Sequence, residues 1–206
     1  MRPFLAEVIA SIDEKKRPII VAMCGAADLG KSHLSNNIVD DLRAKGITVD
    51  HLTLDSFLIE RSERLKQGIS GYQIEAYDQV EVLNALARFK RRQKIVYAQY
   101  NHAIGKTNTS LKVIEPCSIL ILDGVQSMHE GFSSYIDFSI FIYTSDEALK
   151  KIRYDADRTK RNQTNEFSNR NSETEYIQYK TQIEPYKINA NLRLRLERKW
   201  IYTQQN

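Results

Sequence analysis

Cysteine is scarce in this chain. Its 206 residues hold two, Cys24 and Cys117, with no Cys-x-x-Cys spacing and no histidine cluster beside them. That excludes a disulfide framework and a structural zinc site, and a reducing, cytoplasmic setting is expected. The four histidines are scattered at positions 33, 51, 102 and 129. Long apolar runs are missing as well: the longest, "IIVAMCGAA", is far too short to cross a bilayer, so no membrane role is expected. The first residues carry Glu7 and Asp13 among apolar neighbours, which fits an amphipathic helix better than a signal peptide. No internal repeat and no DNA- or RNA-binding motif is found, so a nucleic-acid partner is not expected. A guanine-reading Asn-Lys-x-Asp is also lacking, which argues against a GTPase.

What remains has the composition of an ordinary globular protein, 42% hydrophobic and 27% charged, long enough for one domain over residues 1–206 with a substantial core. The net charge of +4 is unevenly placed. Residues 150–206 hold 13 lysines and arginines against 7 acids, while residues 1–149 hold 17 against 19. Such asymmetry fits a solvated basic face, and equally a basic segment that closes over a polyphosphate.

Strand and helix patterns alternate along the chain. Phe4, Val8 and Ile12 recur at helical spacing. Five short apolar segments read as strands: "IIVAMC", "ITVDHLTLD", "KIVYAQY", "SILILDGV" and "FSIFIYT". Between them lie a helix stopping at Gly46, a second opening at Asp78 with Glu81 in capping-box spacing, and a third, "DEALKKIRYDADR", capped by Thr144 and Glu147. The expected fold is α/β, a parallel five-stranded sheet flanked by helices. The polar stretch at 158–175 predicts a surface loop or mobile lid, within a lid region of about 150–175. The tail "NLRLRLERKWI" alternates leucine with charge and suggests an edge strand, a short amphipathic helix being the alternative.

One motif carries chemistry on its own. "GAADLGKS" has the frame G-x-x-x-x-G-K-S/T between a buried strand and a helix, the setting in which loop amides and a helix N-terminus converge on phosphate. Gly25, Ala26, Ala27, Asp28, Leu29, Gly30, Lys31, Ser32 and His33 are therefore the expected nucleotide-binding residues. In that role Lys31 reaches the terminal phosphates and the Ser32 hydroxyl holds Mg²⁺. Asp28 is anomalous, because a carboxylate facing phosphate repels it; a side chain turned to solvent resolves the conflict.

The motifs after this loop resemble, in order, those of the uridine kinase and phosphoribulokinase family of small-molecule kinases, which also includes bacterial pantothenate kinase. "TLDSFL", "GYQIEAYD", "VYAQYNH", "ILILDGV" and "DFSIFIYTSDEALKKIRYDADRTKR" carry the resemblance over about residues 15–190. It implies transfer of the γ-phosphoryl group of Mg·ATP to a hydroxyl of a small molecule, uridine leading and a sugar, sugar phosphate or pantothenate-like acceptor second. Asp55, at the end of a strand, is placed to orient and deprotonate that hydroxyl. Asp123 stands where a Walker-B acid holds a Mg²⁺-bound water, though the family has Glu there. Tyr97 and His102 match acceptor-site residues, while Ala98 replaces an acid. Asp78 divides evenly between ribose binding and helix capping. Arg61, Arg64 and Lys66 can meet an anionic acceptor or form a solvated face. Arg153, Arg158 and Arg161 fall where the family's lid arginines cluster; Arg161 aligns best, and helical geometry lets only one or two reach phosphate. Asp28, Ala98 and Asp123 also support a competing class, a degenerate kinase fold that binds nucleotide as a sensor or partner module. Homo-oligomerisation stays open.

Overall fold

The computed structural model describes residues 2–12, 16–199 and 201–205; Asp13 and Trp200 of the segments quoted above lie outside them. In chain order its elements are α1 (Arg2–Ala10), β1 (Ile19–Gly25), α2 (Lys31–Ala44), β2 (Val49–Thr53), α3 (Arg61–Gln67), α4 (Gln79–Lys90), β3 (Ile95–Asn101), β4 (Lys106–Ile114), β5 (Ile119–Asp123), β6 (Phe138–Tyr143), α5 (Asp146–Lys160), α6 (Asn165–Gln182), β7 (Leu192–Arg198) and β8 (Ile201–Gln205). Short 3₁₀ turns join several of them, among them Leu54–Phe57 after β2.

The sheet runs β2-β5-β1-β6-β7-β8. Five of its strands are parallel, and β8 pairs antiparallel along the edge. All seven residues of β1 and all five of β5 are buried, as strands covered on both faces require. The register sets Met23 beside Asp123 and Asp123 beside Thr53, so the ends of β1, β5 and β2 finish level. That common edge is where ligands of such sheets sit.

The parallel sheet is as expected in class, but one of its members differs. Residues 95–101 leave the sheet and pair antiparallel with β4, and β7 takes the fifth parallel place. The physical reason is burial: "IVYAQYN" exposes Val96 and half-exposes its centre, whereas Leu192, Leu194 and Leu196 of β7 bury one face against the core. The tail is thus a strand, but β8 covers it and takes the edge.

The polar stretch at 158–175 is not a loop. α5 continues to Lys160, and α6 starts at Asn165 behind Thr164, whose hydroxyl accepts from Phe167 N at 3.2 Å. Apolar periodicity is missing because small and charged residues make the contact with α5: Ser168 and Ser172 are buried on α6, Ala156, Arg153 and Asp157 on α5. The α5 cap lies one residue later than expected. Ser145 Oγ accepts from Ala148 N at 3.3 Å, while Thr144 Oγ1 donates to Leu196 O at 2.8 Å. Gly46, with φ 77°, follows α2 in the left-handed conformation that ends a helix.

Candidate active site

The phosphate-loop motif links the end of β1 to α2. Gly25 is obligatory: a Cβ there would lie 2.2 Å from Ile142 O, and φ is 139°. Gly30, at φ 82°, opens α2. Ala26 and Leu29 are fully buried and anchor the loop from below. Ala27 N donates to the Tyr72 hydroxyl at 3.2 Å, and Tyr202 donates to Leu29 O at 2.9 Å. Lys31 is buried, with Nζ 2.8 Å from Ala26 O, and burial pushes its ammonium below the usual range against the pull of Asp123 and Asp55. His33, exposed on the first turn of α2, has Nε2 3.1 Å from the Asn37 amide.

Two acids face this loop from neighbouring strand ends. Asp123, 1% exposed, accepts from Ser32 Oγ on Oδ2, and its Oδ1 lies 3.0 Å from His51 Nε2. Burial raises its pKa, but hydrogen bonds and charge from His51, the Ser32 hydroxyl and Lys31 outweigh it and hold the carboxyl below the usual range. His51 Nδ1 in turn lies 3.0 Å from Asn36 Oδ1. Asp55, in the turn after β2, lies 3.1 Å through Oδ2 from His102 Nε2 on the β3–β4 turn.

This donor set fits a nucleotide phosphate and a hard cation. A glycine cradle that admits no Cβ leads into a helix N-terminus, beside a buried ammonium and a hydroxyl–carboxylate pair on adjoining strands.

The other candidate residues separate by position. His102 joins Asp55, and its ring meets Tyr100 edge-on with centroids 5.1 Å apart. Tyr97 lines a groove of about 400 Å³ with Asn36, Asp50, His51 and Lys112, which meets the site at His51. Arg64 donates to Ile59 O at 3.0 Å and to the Tyr100 hydroxyl at 3.1 Å, and Arg61 to His102 O, so both tie α3 to the hairpin. Asp78 caps α4, accepting from Glu81 N at 3.1 Å. The capping box is half formed: Asp78 N donates to Phe57 O instead, and Glu81 holds Asn84.

The arginines expected in a lid also divide. Arg153 and Arg161 both reach Asp28, as does Lys160, whereas Arg158 donates to Gln163 O and closes the turn between α5 and α6. Asp28 does not turn to solvent. Its side chain is 10% exposed because these cations surround it.

Sequence reasoning missed His51, Tyr72, Lys160, Asp157 and Glu175. Tyr72, Asp157 and Lys160 lie inside the quoted motifs but at positions that drew no attention, and His51 and Glu175 lie outside them. Long-range packing brings His51, Tyr72 and Lys160 to the loop and Asp157 and Glu175 to its cation partners. A larger cleft of about 540 Å³ is lined by Lys180, Glu184, Pro185, Lys187, Ile188 and Arg193. No loop residue lines it, so cleft volume does not locate this site.

A parallel sheet with a phosphate loop after its central strand and an acid ending the next strand defines the fold of the P-loop kinases. Comparison narrows the class. The model of the Phosphoribulokinase / Uridine kinase family matches residues 20–198, and the chain belongs to that family. It is 21% identical over 151 residues to a uridine kinase of Limosilactobacillus reuteri (strain DSM 20016), covering 70% of this chain and 68% of that one. It is 28% identical over 176 residues to a pantothenate kinase of Shewanella pealeana, covering 76% of this chain and 54%, about half, of that longer one. In structure it is similar to D-glycerate 3-kinase from Cryptococcus neoformans, with a TM-score of 0.71, 14% identity and coverage of 99% and 97% of the two chains. No described helix is long and apolar enough to cross a membrane.

Proposed function

We propose that the chain transfers the γ-phosphoryl group of Mg·ATP to a hydroxyl of a small metabolite, acting as one unit over residues 1–206 with α5 and α6 as its lid. The observation that carries this reading is the convergence of Lys31, the Ser32–Asp123 pair and the Asp55–His102 pair at the level ends of β1, β2 and β5. Mg·ATP, when bound, supplies an electrophilic phosphorus and a good leaving group. The loop amides of residues 25–32 would hold its phosphates, and Ser32 and Asp123 its cation.

The chain's own groups do the rest. Asp55 takes the hydroxyl proton of the acceptor. With Oδ2 engaged by His102, Oδ1 is left to accept it, and the imidazole holds the carboxylate in orientation. His51 fixes Asp123 from the opposite side to Ser32. Lys31 and Arg161 oppose the negative charge gathered on the transferring group. Arg64 positions the hairpin through Nε and Nη2, which donate to Ile59 O and the Tyr100 hydroxyl. Asp78 acts as a helix cap.

A nucleoside is the leading acceptor, with the uridine kinase relatives in support; a sugar or a pantothenate-like alcohol is second. The competing reading, a nucleotide-binding module without turnover, draws on Ala98, on Asp123 in place of Glu, and on the carboxylate of Asp28 inside the loop.

The test is to supply Mg·ATP with uridine, other nucleosides, sugars, glycerate and pantothenate and to detect a phosphorylated product by mass spectrometry. A product that disappears in Lys31→Ala is expected. ATP binding with no product from any acceptor supports the module; ATP binding unchanged in Lys31→Ala rules out the site.

A further inference from the structure

Asp28 stands at φ 62°, a left-handed conformation uncommon for any residue but glycine, and directs its carboxylate at α5. Lys160 Nζ lies 2.8 Å from Oδ1, Arg161 Nη2 lies 3.3 Å from Oδ2, and Arg153 Nη1 donates to Oδ2. Two more acids complete the cluster from the lid itself. Asp157 lies 3.6 Å from Arg153 and 3.1 Å from Arg161, and Glu175 on α6 lies 2.5 Å from Arg153 Nε. Asn171 Nδ2 donates to Asp157 at 2.7 Å. Three carboxylates thus balance three cations around Arg153, whose side chain is 3% exposed.

From this we infer that Asp28 is a built-in anion that clasps α5 onto the phosphate loop and competes with bound phosphate for Arg153 and Arg161. The inference rests on reading residues 25–32 as a phosphate loop. Competition follows from sharing. The same guanidinium groups cannot give their full set of donors to a carboxylate and to a phosphate, and the two anions repel each other at short range. Removing the Asp28 charge leaves the cluster with one net positive charge. Asp157 and Glu175 remain to hold Arg153 and Arg161, so the cations stay near the loop and its attraction for phosphate rises. The clasp therefore exchanges nucleotide affinity for a lid already docked when no nucleotide is bound.

The experiment measures binding of inorganic pyrophosphate and of ATP to the full chain by calorimetry, at low and high salt. Wild type is compared with Asp28→Asn, which keeps the shape, and Asp28→Gly, which the left-handed backbone favours. Both variants should bind pyrophosphate about five- to tenfold more tightly, with a smaller gain at high salt. Without ligand, amides of residues 153–161 should exchange with deuterium faster than in wild type. Unchanged or weaker binding in a folded variant, or unchanged exchange, overturns the clasp. So does failure of both variants to fold, which would make Asp28 a structural tie. Lys31→Ala separates the two readings. If it leaves pyrophosphate binding intact, the phosphate loop itself is wrong; if it abolishes binding while the Asp28 variants gain nothing, only the clasp is wrong.

Discussion

The sheet edge and the lid hold the two halves of this site by different means. On the sheet side, Lys31 follows β1 and Asp123 ends β5, two strands buried throughout and apolar but for Asp123, while Asp55 follows the half-buried β2 that pairs with β5, so backbone ladders and hydrophobic burial fix them. On the lid side, α5 and α6 meet through serine, alanine and charge pairs, with Lys150–Glu173 at 2.8 Å and Tyr176–Asp146 at 2.8 Å adding surface ties. Apolar burial is non-directional and is not screened by salt, whereas ion pairs are specific and weaken when one partner finds a better one. A rigid half and an exchangeable half suit the proposed reaction, in which the loop waits in place while, under the clasp proposed above, the cations change partner.

The contrast is broken most severely by acting on chemistry without touching either support. If Asp55 deprotonates the acceptor, Asp55→Asn should keep ATP affinity and lose turnover by about 10²–10⁴-fold, measured with whichever acceptor proves active. Near wild-type turnover would take Asp55 out of the mechanism.

Next in size is the sheet. Phe141, fully buried on β6, should cost about 3–5 kcal/mol when changed to alanine, read as a lower urea midpoint for the whole molecule. A loss confined to α5 and α6 would contradict the division.

The lid should respond locally. Asp157→Asn removes a 1% exposed carboxylate that holds Arg153 and Arg161. Because Arg153 keeps Asp28 and Glu175, about 2–3 kcal/mol is expected, below the usual cost of breaking a buried pair. Hydrogen exchange should show it in residues 146–182, with the strands unaffected. Equal loosening of β1 and β5 would mean that lid and sheet unfold as one.

The smallest effect is at the start of α5. Ser145→Ala removes the cap and should cost about 1 kcal/mol, while Thr144→Ala should leave the cap intact and lose only its bond to Leu196 O. Equal helix fraying in the two variants, followed by exchange of the first α5 amides, would return the cap to its expected place.

Much of the sheet side was legible beforehand because its signals are local. An apolar run before a glycine frame predicts a buried strand entering a phosphate loop, and short apolar segments ending in Asp55 and Asp123 predict acids at strand ends. Where reading failed, the deciding contacts lay far apart in sequence. "KIVYAQY" has strand composition, but composition does not say which strand it pairs with, and β4 outcompeted the sheet. Residues 158–175 looked like a loop because polarity usually means solvent, and the partners that let Ser168 and Arg153 be buried are on another helix. His51 had no motif around it, and only the parallel register of β2 with β5 sets its ring beside Asp123.

By itself, then, the sequence determined the α/β class, the phosphate loop and the strand-end acids, because each depends on periodicity or on steric demands within a few residues. Only the tertiary structure decided what Asp28 does. In the chain it is a carboxylate out of place among phosphate-binding residues. In the fold it is the partner of cations 125, 132 and 133 residues away, since an electrostatic contact depends on distance in space and leaves no trace in local sequence.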